Sequence, residues 1–141
     1  MRRVRVLIAD DQADVRRGLE VLLRLEGDIE VVGSAANGLQ AVELAELLKP
    51  DVILLDLNMP HLDGFEAMRR IRDKHLPVQI VALTTHGEPG VQEAVRQGGA
   101  EALIDKAMPD TQLVEIVRAV HHGADDGPED ADLPRVSPQS P

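Results

Sequence analysis

The 141-residue chain has no cysteine, no tryptophan, no tyrosine and a single phenylalanine. Without cysteine there is no disulfide framework, no thiol nucleophile and no Cys-ligated zinc or iron–sulfur site. The absence fits a reducing compartment. With a single Phe as its only Phe, Tyr or Trp, the chain is not expected to offer a stacking platform for single-stranded nucleic acid. Positive charge is also scarce. Lys and Arg number 15 against 25 Asp and Glu, for a formal net charge of −10. No direct nucleic-acid binding is expected of such a chain. No apolar run approaches the ~18 residues of a membrane span. The apolar stretch behind the arginines of Met1–Arg5 ends at Asp10, too soon for a secretory signal. A cytoplasmic protein with no membrane partner is expected.

The length suits one domain, large enough to bury a core without staples. Composition changes at Gly123. From there to Pro141 the chain carries five acidic residues, one Arg and four Pro, with almost no large apolar side chains. Such a segment cannot offset its ordering entropy. The expected organisation is a domain over 1–122 and an acidic, proline-rich disordered tail over 123–141.

Within the domain two periodicities alternate. Apolar runs rich in Val and Ile occupy Val4–Ala9, Ile29–Ala35, Val52–Leu55, Val78–Leu83 and Ala102–Ile104. Several are apolar at consecutive positions, the pattern of strands covered on both faces. Between them lie helical segments. Val15, Leu19, Leu22 and Leu23 mark the first, over Asp14–Gly27. Leu39, Val42 and Leu47 mark the second, before Lys49-Pro50, and Phe65, Met68 and Ile71 the third. Val91 and Val95 mark the fourth, which stops at Gly98-Gly99. Leu113, Val117 and Val120 mark the fifth, with Pro109 at its first turn. Five strands alternating with five helices predict a doubly wound α/β fold with a five-stranded parallel sheet.

In such a sheet, ligands bind beyond the carboxyl ends of the strands, and right-handed crossovers bring those ends to one edge. The first run ends in Asp10-Asp11, the third in Asp56, the fourth in Thr84-Thr85 and the fifth in Asp105-Lys106. Three carboxylates meeting there repel unless a cation joins them. Hard oxygen ligands in a small cluster suit Mg²⁺. A lysine and a hydroxyl alongside suit a phosphoryl group, Lys106 as a point charge and Thr84 as a donor. Each residue singly has a simpler role open to it. Asp10 or Asp11 suits a cap of the first helix, with Asp14 in its first turn. Asp56 suits the start of a turn, Lys106 a solvated charge and Thr84 an ordinary strand position.

The stretch from Asp56 to Glu66, DLNMPHLDGFE, carries the most specific signal. Pro60 fixes a turn and Gly64 permits a tight approach. Asp63 and Glu66 are spaced as a capping box for the third helix.

Together these elements resemble the receiver domain of two-component response regulators of the NarL/FixJ type. The elements are Asp10-Asp11, Asp56 with its D-x-x-M-P-x-x-D-G loop, Thr84, Gly99-Ala100 and Lys106, and the resemblance covers Val4 to His121. It implies strand order 2-1-3-4-5 with helices on both faces. It implies that Asp56 accepts a phosphoryl group from a sensor histidine kinase. Asp10, Asp11, Asp56 and the Asn58 backbone carbonyl would hold Mg²⁺, while Thr84 and Lys106 would contact the phosphoryl oxygens. Such a domain is no enzyme toward other substrates; it catalyses only its own phosphorylation and dephosphorylation. It would signal to a downstream protein or a second receiver, a homodimer included, through the surface of the fourth helix, fifth strand and fifth helix. Leu103, Arg96, Val114 and Arg118 are expected on that surface.

Two features depart from the family pattern. Leu103 stands where the family usually has Tyr or Phe, so weak coupling between phosphorylation and that surface is expected. A helix-turn-helix output domain is expected to be absent, leaving either a stand-alone receiver or the receiver half of a DNA-binding regulator. A Mg²⁺-dependent small-molecule phosphatase is the competing class. It often has a general-acid Asp two residues after the nucleophile, where this chain has Asn58. Of the histidines, His61, His75, His121 and His122 have no metal-ligand spacing and are expected at the surface. His86 either borders the phosphoryl site or stands solvated in its loop.

Overall fold

A computed structural model describes residues 2–59, 62–85 and 90–125 of the chain. Strands and helices alternate throughout. They run β1 (Val4–Ala9), α1 (Ala13–Arg24), β2 (Ile29–Ala35), α2 (Gly38–Leu48), β3 (Val52–Asp56), α3 (Gly64–Asp73), β4 (Gln79–Thr84), α4 (Val91–Gln97), β5 (Ala102–Asp105) and α5 (Asp110–Asp125). All strand pairs are parallel, in the order β2-β1-β3-β4-β5. The doubly wound sheet expected from the alternation is therefore present. The strand order reverses between β1 and β3, whose carboxyl ends carry Asp10 and Asp56.

The unbroken apolar runs have a direct cause, since both faces of the sheet are covered. On one face Leu7, Ile53, Leu55, Ile80 and Ala82 pack with Val42 and Ala45 of α2, Met68 and Ile71 of α3, and Val95 of α4. On the other, Val6, Ile8, Leu54, Val81 and Leu83 pack with Leu23 of α1 and Leu113, Val117 and Val120 of α5. Every residue of β3 is buried, so Asp56 is a charged residue at the end of an otherwise apolar central strand.

Two helices bury some of the large residues that mark them, Val42, Met68 and Ile71, but leave others outside. Leu39 is 48 % and Leu47 74 % exposed, whereas Gly38, Ala41, Val42 and Ala45 are buried. Small residues let α2 lie close to its neighbours; a Cβ on Gly38 would run into the Leu62 carbonyl group. Phe65 of α3 is likewise exposed, and Ala67, Met68 and Ile71 carry the packing.

Helix ends also differ from expectation. The first helix stops at Arg24, short of Gly27, and Pro109 lies just ahead of α5, where its carbonyl accepts from Gln112 N and Leu113 N. α5 runs through Gly123 to Asp125, three residues past the expected boundary. A helical glycine costs only about 1 kcal/mol relative to alanine, too little to stop a helix that is already formed. The remainder of the expected tail, like Pro60, His61 and His86, lies outside the described residues.

Candidate functional site

The site is built from four strand ends. β1 stops pairing at Ala9, and Asp10 N donates to Ala35 O at 3.0 Å. Asp10 is fully buried. Its Oδ1 accepts from Gln12 N at 2.9 Å, a side-chain turn that feeds the chain into α1. Gln12, not an aspartate, occupies the cap position of α1, and it makes no side-chain cap bond. Capping therefore accounts for neither Asp10 nor Asp11.

Asp56 closes β3 and is 1 % exposed. Its Oδ1 accepts from Asn58 N at 3.0 Å, so it does begin a turn, but its second oxygen is turned elsewhere. The backbone beyond it is fixed on two sides. Leu57 N donates to Leu83 O at 3.0 Å, and Gly64 N donates to Leu57 O at 3.1 Å. A Cβ on Gly64 would stand 2.6 Å from Leu57 Cα and collide with the Asp56 carbonyl. Here glycine is required by the close approach of α3 to the strand end. Asp63 caps α3 by accepting from Glu66 N at 2.9 Å. The Glu66 carboxylate pairs with Arg69 and Arg70. That is the first half of the capping box the spacing predicts.

Lys106 follows β5 and is anchored by its N–H to Thr84 O at 2.8 Å. Its side chain is only 15 % exposed, so it is not a solvated surface charge. The ammonium lies 2.6 Å from Asp10 Oδ2 and 3.3 Å from Asp56 Oδ2. Thr84, buried at the end of β4, pairs in register with Asp105. Asp11 is exposed, yet one carboxylate oxygen from each of Asp10, Asp11 and Asp56 lies within 4.8 Å of the others.

The electrostatics follow from burial. Desolvation, followed by the nearby Asp10 charge, pushes the Asp56 carboxyl above the usual aspartate range, against the Asn58 N–H and Lys106. Burial opposes the charge on Lys106 as well, but its ion pairs with the two carboxylates win and raise its pKa. Three carboxylates against one ammonium leave the site short of positive charge. Asp10 Oδ2 shows this in detail. It is buried and rests on the Lys106 ammonium at 2.6 Å, a single positive charge that Asp56 Oδ2 shares at 3.3 Å. A hard cation with oxygen preference fits that donor set.

The remaining expectations divide. Leu103 is half-buried and packs against the core shared with α2, α3 and α4. Arg96 is exposed and pairs with Glu93. Val114 is buried, and Arg118 reaches the other way, to Glu26 and, at 2.8 Å, Asp28 behind α1. Val114 and Arg118 therefore do not belong to the expected docking surface, because α5 turns them toward the sheet and toward α1. His75 and His122 are exposed and His121 is half-buried.

Two arginines that sequence patterns do not single out hold the loops at the two edges of the sheet, Arg16 beside the site and Arg72 at the opposite, amino-terminal edge. Arg16 Nη1 donates to Asp10 O at 2.6 Å. Arg72 donates to Val78 O at 2.8 Å and Gly99 O at 2.6 Å, and pairs with Glu101 at 3.1 Å. Gly99, at φ +99°, leaves room for it; a Cβ there would stand 2.8 Å from Arg72 Nε. That tight fit explains Gly99 of the Gly99-Ala100 element. Neither arginine carries a sequence signal, since Arg16 bonds a main-chain carbonyl six residues back and Arg72 takes Gly99 and Glu101 from a distant loop.

Among the described residues no helix is long and apolar enough to cross a membrane. Comparison with known proteins agrees with the site. The model of the response regulator receiver domain family matches residues 6–118. The nitrate/nitrite response regulator protein NarL of Escherichia coli K12 is 38 % identical over 120 residues, covering 84 % of this chain and 54 % of that protein. The transcriptional regulatory protein PdtaR of Mycobacterium tuberculosis H37Rv is 42 % identical over 113 residues, covering 80 % and 54 %. The chain thus spans about half the length of these curated relatives. Among solved structures, the signal receiver domain of NarL from M. tuberculosis superposes with a TM-score of 0.84 at 34 % identity, covering 87 % of this chain and 99 % of that one. The response regulator domain of Thermotoga maritima CheB gives 0.80 at 34 % identity, covering 86 % and 98 %. Fold, site chemistry and relatives converge: the chain belongs to the response regulator receiver domain family of two-component systems.

Proposed function

We propose that this receiver accepts a phosphoryl group on Asp56 from the phosphohistidine of a sensor kinase. The observation that carries the reading is a buried Asp56 carboxylate that shares the Lys106 ammonium, 3.3 Å from its Oδ2, with Asp10 and has an oxygen within 4.8 Å of oxygens of both Asp10 and Asp11. An Asp56 oxygen attacks phosphorus; the new O–P bond forms as the N–P bond breaks, and the imidazole nitrogen keeps the electron pair. Lys106 pairs with the phosphoryl oxygens, and Thr84 donates its hydroxyl to them. Asp10, Asp11, Asp56 and the Asn58 carbonyl would hold Mg²⁺, which supplies neutralisation of the negative charge gathered on the phosphoryl group. Positioning and charge compensation are most of what this transfer needs, and self-catalysed hydrolysis of the acyl phosphate uses the same groups.

Downstream, the reading is contact with a partner protein or a second receiver through α4, β5 and α5, within the cytoplasm. The surface is led by Arg96 and the edge around Leu103. A net charge of −10 supports protein contact over direct DNA contact by this chain. Intact-mass measurement after incubation with acetyl phosphate tests the core of the proposal. One phosphoryl adduct is expected with Mg²⁺, lost on chelation and in Asp56→Asn. Full labelling of Asp56→Asn refutes it.

A further inference from the structure

We propose that Arg16 is a positioning residue for the divalent cation, acting through the main chain of Asp10; this rests on the reading of Asp10, Asp11 and Asp56 as the Mg²⁺ ligands. β1 pairing ends at Ala9 and α1 begins at Ala13, so three residues, Asp10 to Gln12, make the connection. Two of those three are ligands. The α1 cap lends the turn no side-chain bond. Asp10 N to Ala35 O and the Lys106 ammonium on Asp10 Oδ2 fix its start, and two contacts within the turn and α1 set its path. One is local, Gln12 N to Asp10 Oδ1 at 2.9 Å. The other is Arg16 Nη1 to Asp10 O at 2.6 Å, which ties the first turn of α1 back to the ligand's own carbonyl. Arg16 is half-buried, and among the described residues this carbonyl is the acceptor its guanidinium takes. Its neighbour Arg17 is exposed and lies 3.7 Å from a solvent-facing Asp14.

The sign of the effect separates positioning from charge. Arg16 is a cation beside a cation site, so by electrostatics alone its removal should tighten Mg²⁺ binding. If it holds the turn, its removal loosens two ligands and weakens binding. Groups that orient metal ligands typically contribute about 10–100-fold in affinity. Arg16 acts on a ligand's carbonyl and not its carboxylate, so about 10-fold is expected.

The experiment is calorimetric titration with Mg²⁺ at fixed ionic strength, on the full chain, for wild type, Arg16→Gln, Arg16→Lys and Arg17→Gln. Amide shifts of Asp11 and Gln12 are followed in parallel. Arg16→Gln should bind about 10-fold more weakly while Arg17→Gln, with the same charge removed one position on, binds as tightly as wild type or more so. Arg16→Lys, which keeps the charge but has a shorter side chain that does not bring a donor to the place of Nη1, should also weaken, and it carries the test if the Gln variant does not fold. Equal or tighter binding in the folded Arg16 variants overturns the proposal and leaves the Mg²⁺ site standing. Absence of Mg²⁺ binding by wild type overturns the reading of the site itself, and this proposal with it.

Discussion

Replacing the phosphoacceptor should make the cation-free protein more stable. In Asp56→Asn one buried charge is removed. With an effective dielectric of ~20, the Asp10–Asp56 repulsion at up to 4.8 Å comes to about 3.5 kcal/mol, and the attraction to Lys106 at 3.3 Å to about 5. Asp11 is exposed, so its repulsion of Asp56 is screened to about 1 kcal/mol. The Coulomb terms nearly cancel. What remains is desolvation, which costs several kcal/mol for a buried carboxylate and roughly 1–3 for a buried amide. The variant should gain about 2 kcal/mol, or roughly 8 °C in Tm for a domain of this size. The sign in pH follows. The folded-state pKa of Asp56 lies above its ordinary value of 3.8, so ionising it weakens the fold. The variant's advantage should be full above the raised folded pKa and vanish as pH falls through it toward 3.8. Mg²⁺ should narrow the gap, because a ligand at 100 times its Kd stabilises the wild type by about 2.7 kcal/mol. With neither Trp nor Tyr in the chain, the assay is far-ultraviolet circular dichroism or calorimetry, in EDTA and in Mg²⁺. A Tm for Asp56→Asn at or below wild type in EDTA at neutral pH would refute the reasoning.

Three further outcomes are expected. Lys106→Ala should lower the unfolding free energy in EDTA by an amount typical of breaking a buried pair, about 3–5 kcal/mol, and by clearly less in saturating Mg²⁺; an equal loss in both would deny a shared site. Gly64→Ala should destabilise by about 1–2 kcal/mol, because the collision with the Asp56–Leu57 backbone outweighs the helix-propensity gain of ~1 kcal/mol; a rise in Tm would show that α3 can shift freely. With a beryllofluoride mimic, amide shifts should be large around Asp56 and Thr84 and small across Val91–Gln97. Leu103 is already packed inward, so it offers little difference in free energy between two states; large shifts over α4 would contradict this.

The sequence alone determined the architecture, because the apolar runs are too continuous for a sheet with one wet face. It also singled out Asp10, Asp11, Asp56, Thr84 and Lys106, since complementary polar residues at four strand ends that meet on one edge form a set, although each singly has a simpler role open to it. It placed Gly64 as a point of close approach, which the packing of α3 on Asp56 explains. It placed Val42 of α2 correctly but misjudged its neighbours, because periodicity weights Leu39 and Leu47 while close packing selects Ala41 and Ala45. Only the tertiary structure decided which charges are buried and whom they meet. Lys106 reads as a surface lysine until the sheet edge closes around it with Asp10 at 2.6 Å. Val114 and Arg118 read as surface until α5 docks and turns them toward the core and α1. Arg16 and Arg17 are indistinguishable as neighbours in sequence. Helix geometry sends them in directions about 100° apart, and the position of α1 beside β1 turns one of them onto the Asp10 carbonyl.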